Sequence, residues 1–333
     1  MLYKGKSMSI TYKQIALFLF FSANTLIGME DGKSQNVSPI FSLEDYQKLS
    51  PYNIQQLEKE AQTILNITQK DIMMGKDNYY ILRDPSNIDK LINAATELNN
   101  HYTNNVIVSF GQSPAYIVKT AEILNQLKDN SSNEYKYLAF SGRFFSASKE
   151  TEQKPIKIFL TNYMTPPPTD NQLTIYEEYL KLLQLDPISI VKRFQKDNKQ
   201  TVFIEYTQVG GGLASFIHTL MAIAQKEHIS PELLKQAIIF HIFHTPQKYG
   251  PSPIQEITIN TPPYASALLD VHKIDNDLMT GLGNADNFND RLIVEYPLGN
   301  WEKINPTKFV SSRNAQLILF TIINHLMKKK KPY

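Results

Sequence analysis

Cysteine is absent from all 333 residues, which removes disulfides, thiolate nucleophiles and cysteine-ligated zinc together. An excess of one charge is also missing: 34 Lys and Arg face 32 Asp and Glu for a net +2, and the two signs are mixed along the chain. Without a broad basic stripe to neutralise phosphates, a nucleic-acid polymer is not the expected partner. The basic cluster Lys328 to Lys331 reads as a solvated tail. No apolar run reaches the ~20 residues of a membrane span. The closest, "IALFLFFSANTLIG", follows Lys4, Lys6 and Lys13 and precedes the polar "MEDGKSQNVS". That order is expected of a signal peptide or N-terminal anchor over residues 1–30, placing the protein in the periplasm or outside the cell if it is a signal, and in the cytoplasm otherwise. No internal repeat is visible.

What is present is a globular composition, 42% hydrophobic, with enough chain for a sizeable core. Residues 40–103 read as a helical region. "SLEDYQKL" carries Ser42 and Asp45 in capping-box spacing, Ser50 and Pro51 open a second helix, and "DPSNIDKLINAATELNNHY" supplies a third. From residue 104 to 333, short apolar runs alternate with helix-length amphipathic ones. "NVIVSF", "YKYLAF", "PIKIFLTNYM", "TVFIEY", "AIIFHIF" and "RLIVEYP" are expected as strands or extended runs. Such alternation predicts an α/β fold, a mostly parallel twisted sheet with helices on both faces.

Two strand-to-helix junctions carry the chemistry. In "TVFIEYTQVGGGLASFIHTL" the acid Glu205 ends a strand, and Val209, Gly210, Gly211 and Gly212 lead to a helix expected from Leu213. Glycine lets backbone N–H groups approach an anion, and a helix N-terminus favours one. A tight turn with close packing would use the same residues. No Lys followed by Ser or Thr completes a P-loop, and Ser215 occupies the last glycine position of a dinucleotide fingerprint. The earlier junction, "VIVSFGQSPAYIVKTAEIL", places Gly111, Gln112 and Ser113 between strand and helix.

Together these junctions, over roughly residues 104–245, resemble the type I phosphoribosyltransferase fold. The resemblance implies a diphosphate loop at Gly111, Gln112 and Ser113, and a ribose 5-phosphate loop at Val209 to Gly212. It further implies Glu205 on the ribose hydroxyls, directly or through Mg²⁺, and Arg143 of "FSGRFF" reaching the diphosphate. Tyr206 stands where the family usually carries a second acid, and Val209, Gly210 and Leu213 stand near its threonines. The implied ligand is a phosphorylated sugar or nucleotide, with transfer or hydrolysis at the anomeric carbon.

Two other readings stay open. "GQSPA" is close to the nucleophile elbow of serine hydrolases, with Ser113 as nucleophile and Asp270, His272 or His244 available, although Pro114 has no N–H to offer an oxyanion. A secreted interaction protein could instead keep the fold without catalysis. His241 and His244, three apart on an expected strand, read as structural. The "DVHKIDNDLMTGLGNADNFND" segment reads as an exposed acidic loop, and Trp301 and Tyr116 as packed aromatics.

Overall fold

A computed structural model of the chain describes residues 41–65, 85–111, 114–128, 132–140, 168–206, 211–244, 269–273, 292, 301 and 313–330. The leader over 1–30, the extended run at 155–164 and all of "RLIVEYP" except a buried Leu292 lie outside the described residues. The described elements are, in order, α1 (Leu43–Gln47), α2 (Pro51–Leu65), α3 (Pro85–His101), β1 (Val106–Phe110), α4 (Ala115–Gln126), β2 (Glu134–Leu138), α5 (Asp170–Leu183), α6 (Pro187–Asp197), β3 (Thr201–Tyr206), α7 (Gly211–Lys226), α8 (Pro231–Ala237), β4 (Ile238–His244), β5 (Leu269–Lys273) and α9 (Arg313–Lys330).

The five strands form one sheet in the order β2-β1-β3-β4-β5, and every pairing is parallel. Parallel strands covered on both faces need apolar side chains on both, so β1 reads "VIVSF" and is buried throughout. Register sets the faces. Val108, Phe203 and Phe240 lie side by side, as do Ser109, Ile204 and His241 on the opposite face.

Helices α5, α6 and α7 cover the first face. Phe216 of α7 meets Phe110, Phe203 and Phe240, and Arg193 of α6 donates to Thr201 Oγ1 at 3.1 Å. On the other face, Tyr102 just beyond α3 bonds His241 Nδ1 at 3.0 Å. Asn99 of α3 donates to the Ala121 carbonyl of α4 at 2.8 Å, fixing those two helices together. Helix α9 joins this side, with Phe320 against Phe41 and Tyr46 and the Tyr46 hydroxyl donating to Asn324 at 2.9 Å. The helices anticipated over 40–103 therefore feed the same hydrophobic core as the sheet.

The helix starts follow their capping chemistry. Ser42 and Asp45 close a capping box, Thr169 and Gln172 close another at α5, and Asp186 and Ser230 each accept a backbone N–H ahead of a proline. Gln184 and Asn198 end α5 and α6 in the left-handed conformation.

Two expectations are corrected. The stretch read as an acidic loop contains β5, Leu269–Lys273. Among the described residues it pairs with β4, in parallel like the other strands. Helix α7 begins at Gly211 rather than Leu213. Two of the three glycines are thus its first residues, where four N–H groups lack intrahelical partners anyway.

Candidate functional site

Strand order places the site. After β1 the chain crosses through α4 to β2 on one side, then returns past β1 to β3 on the other. Between the C-terminal ends of β1 and β3 the connections diverge to opposite directions, which opens a crevice in sheets of this kind. The two junctions singled out in the sequence follow these two strands.

At the end of β1, Gly111 has φ +73°. Its N–H donates to the Leu138 carbonyl at 2.9 Å and its carbonyl accepts from Ser109 Oγ at 3.2 Å. A Cβ there would meet nothing closer than the Phe140 carbonyl at 3.7 Å, so the glycine is required by backbone conformation and not by space. Gly111→Ala is expected to lower unfolding stability by about 1–2 kcal/mol, the cost of a left-handed non-glycine residue. Urea unfolding checks it, and an unchanged midpoint would contradict the φ argument. Pro114 precedes α4 with φ −86°, so this position contributes no N–H to an oxyanion.

At the end of β3, Gly211 and Gly212 open the 16-residue α7. Their amides belong to the free first turn, which carries the positive end of the helix dipole. Glu205 lies one residue from the strand's end and is half-buried. It pairs in register with Ile242, and Phe110 sits one step past the last β1–β3 pair on the same face. Apolar neighbours on both sides explain why burial pushes its carboxyl well above the usual carboxylate range. Among the described residues no hydrogen bond or ion pair reaches it. A carboxyl so placed can donate a hydrogen bond while neutral, or ionise when a cation arrives. Tyr206 is buried and points to the opposite face of the sheet.

Structure thus brings Gly111, Glu205, Gly211 and Gly212 to one edge of adjacent strands. Gln112, Ser113, Arg143, Val209 and Gly210 lie outside the described residues. For Mg²⁺, no group of three or more His, Cys, Asp or Glu gathers among the described residues. A single carboxylate suits Mg²⁺ only when ligand phosphates and water complete the shell. His241 is buried against Tyr102 and Phe243 on the face opposite Glu205. Asp270 stands beside it in register on β5. Trp301 stacks on Tyr176 at 4.2 Å, and both, like Tyr116, are fully buried. No described helix is long and apolar enough to cross a membrane.

The sequence reading did not find the buried charge cluster of Glu177, Asp186 and Glu227. Its one local sign is the Glu177–Lys181 spacing of four on α5. Comparison with protein-family profiles, curated proteins and solved structures finds no match to this chain.

Proposed function

We propose that the chain binds a phosphorylated ribose or nucleotide in the crevice between the ends of β1 and β3, in the manner of a type I phosphoribosyltransferase. One observation carries the reading: the glycine junction after β1 and the acid-glycine junction after β3 flank the point where strand order reverses, the position where open α/β sheets take their ligands. The amides of Gly211 and Gly212 hold the 5-phosphate, and Glu205 takes the ribose hydroxyls. Gly111, Gln112 and Ser113 wrap the diphosphate, with Arg143 against its charge. Glu205 would hold Mg²⁺ together with the ligand, and the ion would supply charge neutralisation for the phosphates. As the bond from the anomeric carbon to diphosphate breaks and its electron pair leaves on diphosphate, an acceptor base or water forms the new bond there. The transition state is cation-like, so preorganised donors on the departing diphosphate suffice, without a covalent intermediate.

Thermal unfolding with phosphoribosyl diphosphate and Mg²⁺ tests it. At a hundredfold excess over Kd, binding adds about 2.7 kcal/mol, which raises Tm by roughly 4–5 °C in a domain of this size. Ribose 5-phosphate is expected to give a smaller shift, and no shift at millimolar concentration of either would overturn the reading.

A further inference from the structure

Helix α7 starts at the glycine junction, and at its other end the described structure concentrates buried charge. Three carboxylates meet there: Glu177 of α5, Asp186 at the cap of α6, and Glu227 directly after α7. The side chains of Glu177 and Glu227 are 8% and 7% exposed, and Asp186 is 2% exposed. Glu177 is well served, since Lys181 bonds one oxygen and Lys226 bonds the other at 2.8 Å. Among the described residues Glu227 receives the far reach of Lys181, at 3.4 Å to Oε1. Asp186 uses Oδ1 to accept the Ser189 N–H at 3.0 Å, and Arg193 of α6 adds a positive charge facing it. His228, next in the chain, is exposed and in the left-handed conformation. Two oxygens remain, Asp186 Oδ2 and Glu227 Oε2, both buried without a hydrogen-bond partner among the described residues.

A buried carboxylate oxygen with no donor is expensive. Protonating Glu227 removes the charge and gives a cluster rich in acceptors one more donor. We propose that Glu227 is a proton-holding latch at the C-terminal end of α7: its burial among the carboxylates of Glu177 and Asp186 is tolerated while it holds a proton in acid, and the helix end loosens as the pH rises and the proton leaves.

The electrostatics have the required sign. Burial pushes the Glu227 carboxyl up, Lys181 opposes this, and the negative charges of Glu177 and Asp186 add to the rise. Burial also pushes Glu177 up, but the hydrogen bonds and charges of Lys181 and Lys226 outweigh it and hold Glu177 below its usual value. For Glu227 the folded pKa exceeds the unfolded one. Its stabilising contribution is complete below about 4.3 and is lost as pH climbs through the raised folded value. Glu177 behaves oppositely, contributing above its unfolded value and losing that contribution as pH falls through its depressed one. Within this cluster the loss of stability with rising pH comes from Glu227; Glu205 at the other end of α7 adds a slope of the same sign, which Glu227→Gln leaves in place. The latch concerns the end of α7 remote from the crevice and does not depend on which ligand the crevice takes.

Glu227→Gln keeps the shape and supplies an N–H donor that does not titrate. Thermal unfolding of the full chain at pH 5 and pH 8 is expected to show the variant gaining on wild type, the gap widening by roughly 2–4 °C at the higher pH. Asp186→Asn preserves the cap and is expected to shrink that gap. Amide exchange supplies a second readout: after correction for intrinsic rates, protection over residues 223–227 falls from pH 5 to pH 8 in wild type and stays constant in Glu227→Gln. A gap that is constant or narrows with pH, protection that does not change in wild type, or a Glu227→Gln chain that fails to fold would each overturn the latch.

Discussion

Phe216→Ala is expected to cost about 3–5 kcal/mol of unfolding stability, the range for deleting a buried aromatic ring from a packed core. Phe216 is fully buried and sits where helix α7 meets the sheet. Its ring centroid lies 4.7 Å from Phe110, 5.2 Å from Phe203, 5.4 Å from Phe140 and 6.4 Å from Phe240. Phe110 and Phe203 are anchored on the adjacent strands β1 and β3, so they cannot follow a shortened side chain into the void. The lost transfer energy and the unfilled cavity therefore add. Phe216→Leu retains most of the volume and is expected to cost about 1–2 kcal/mol. Urea unfolding of the three proteins measures both, and a loss below about 1 kcal/mol for the alanine variant would contradict this packing. The same ring docks the helix whose first residues are Gly211 and Gly212, so the alanine variant is also expected to weaken ligand binding.

Glu205→Gln is expected to move stability and binding in opposite directions. Burial between Phe110 and Ile242 raises the Glu205 carboxyl, so the folded protein holds a proton that the unfolded chain releases above about 4.3. Wild-type stability attributable to this group is complete in acid and declines as pH rises toward the raised folded value. Glutamine has the same shape and no charge to bury. The variant is expected to match wild type near pH 4 and to exceed it at pH 8. Binding goes the other way, because an amide neither neutralises a cation nor accepts as strongly from a ribose hydroxyl. A charge-assisted hydrogen bond is worth about 1.5–3 kcal/mol, or roughly a tenfold to hundredfold weaker Kd. Calorimetric titration with phosphoribosyl diphosphate and Mg²⁺, paired with unfolding curves at both pH values, reads the two effects. A variant that is less stable at pH 8, or binds as tightly as wild type, would contradict the role given to Glu205.

The parts legible in the sequence are those whose cause is local. Strands β1 and β3 announce themselves because central parallel strands are mostly apolar on both faces, as "VIVSF" and "TVFIEY" are apart from Ser109, Thr201 and Glu205. Ser42 and Ser50 mark helix starts because a side-chain oxygen must meet an N–H two or three residues on. Strand β5 was hidden because Asp270, His272 and Lys273 break the apolar run expected of a parallel strand, and its pairing with β4 is set by a segment elsewhere in the chain. The glycine run misled by two residues, since glycine is as acceptable in the first turn of a helix as in a loop. For the candidate site, Glu205 was recognisable as a strand-end acid, but its apolar flanks come from registers with strands far away in the chain. Glu227 and Asp186 are separated by α6, β3 and α7, and nothing in either segment points to the other.

In the binding mode proposed above, the ends of β1 and β3 form one anion-binding crevice. Selective ¹⁵N labelling of glycine tests it most directly, because the chain has only 13 glycines and their amide signals can be followed singly. On titration with phosphoribosyl diphosphate and Mg²⁺, the signals of Gly111, Gly211 and Gly212 are expected to move together with one Kd. Saturable shifts at other glycines with these three unmoved, or no shift at any glycine, would contradict it.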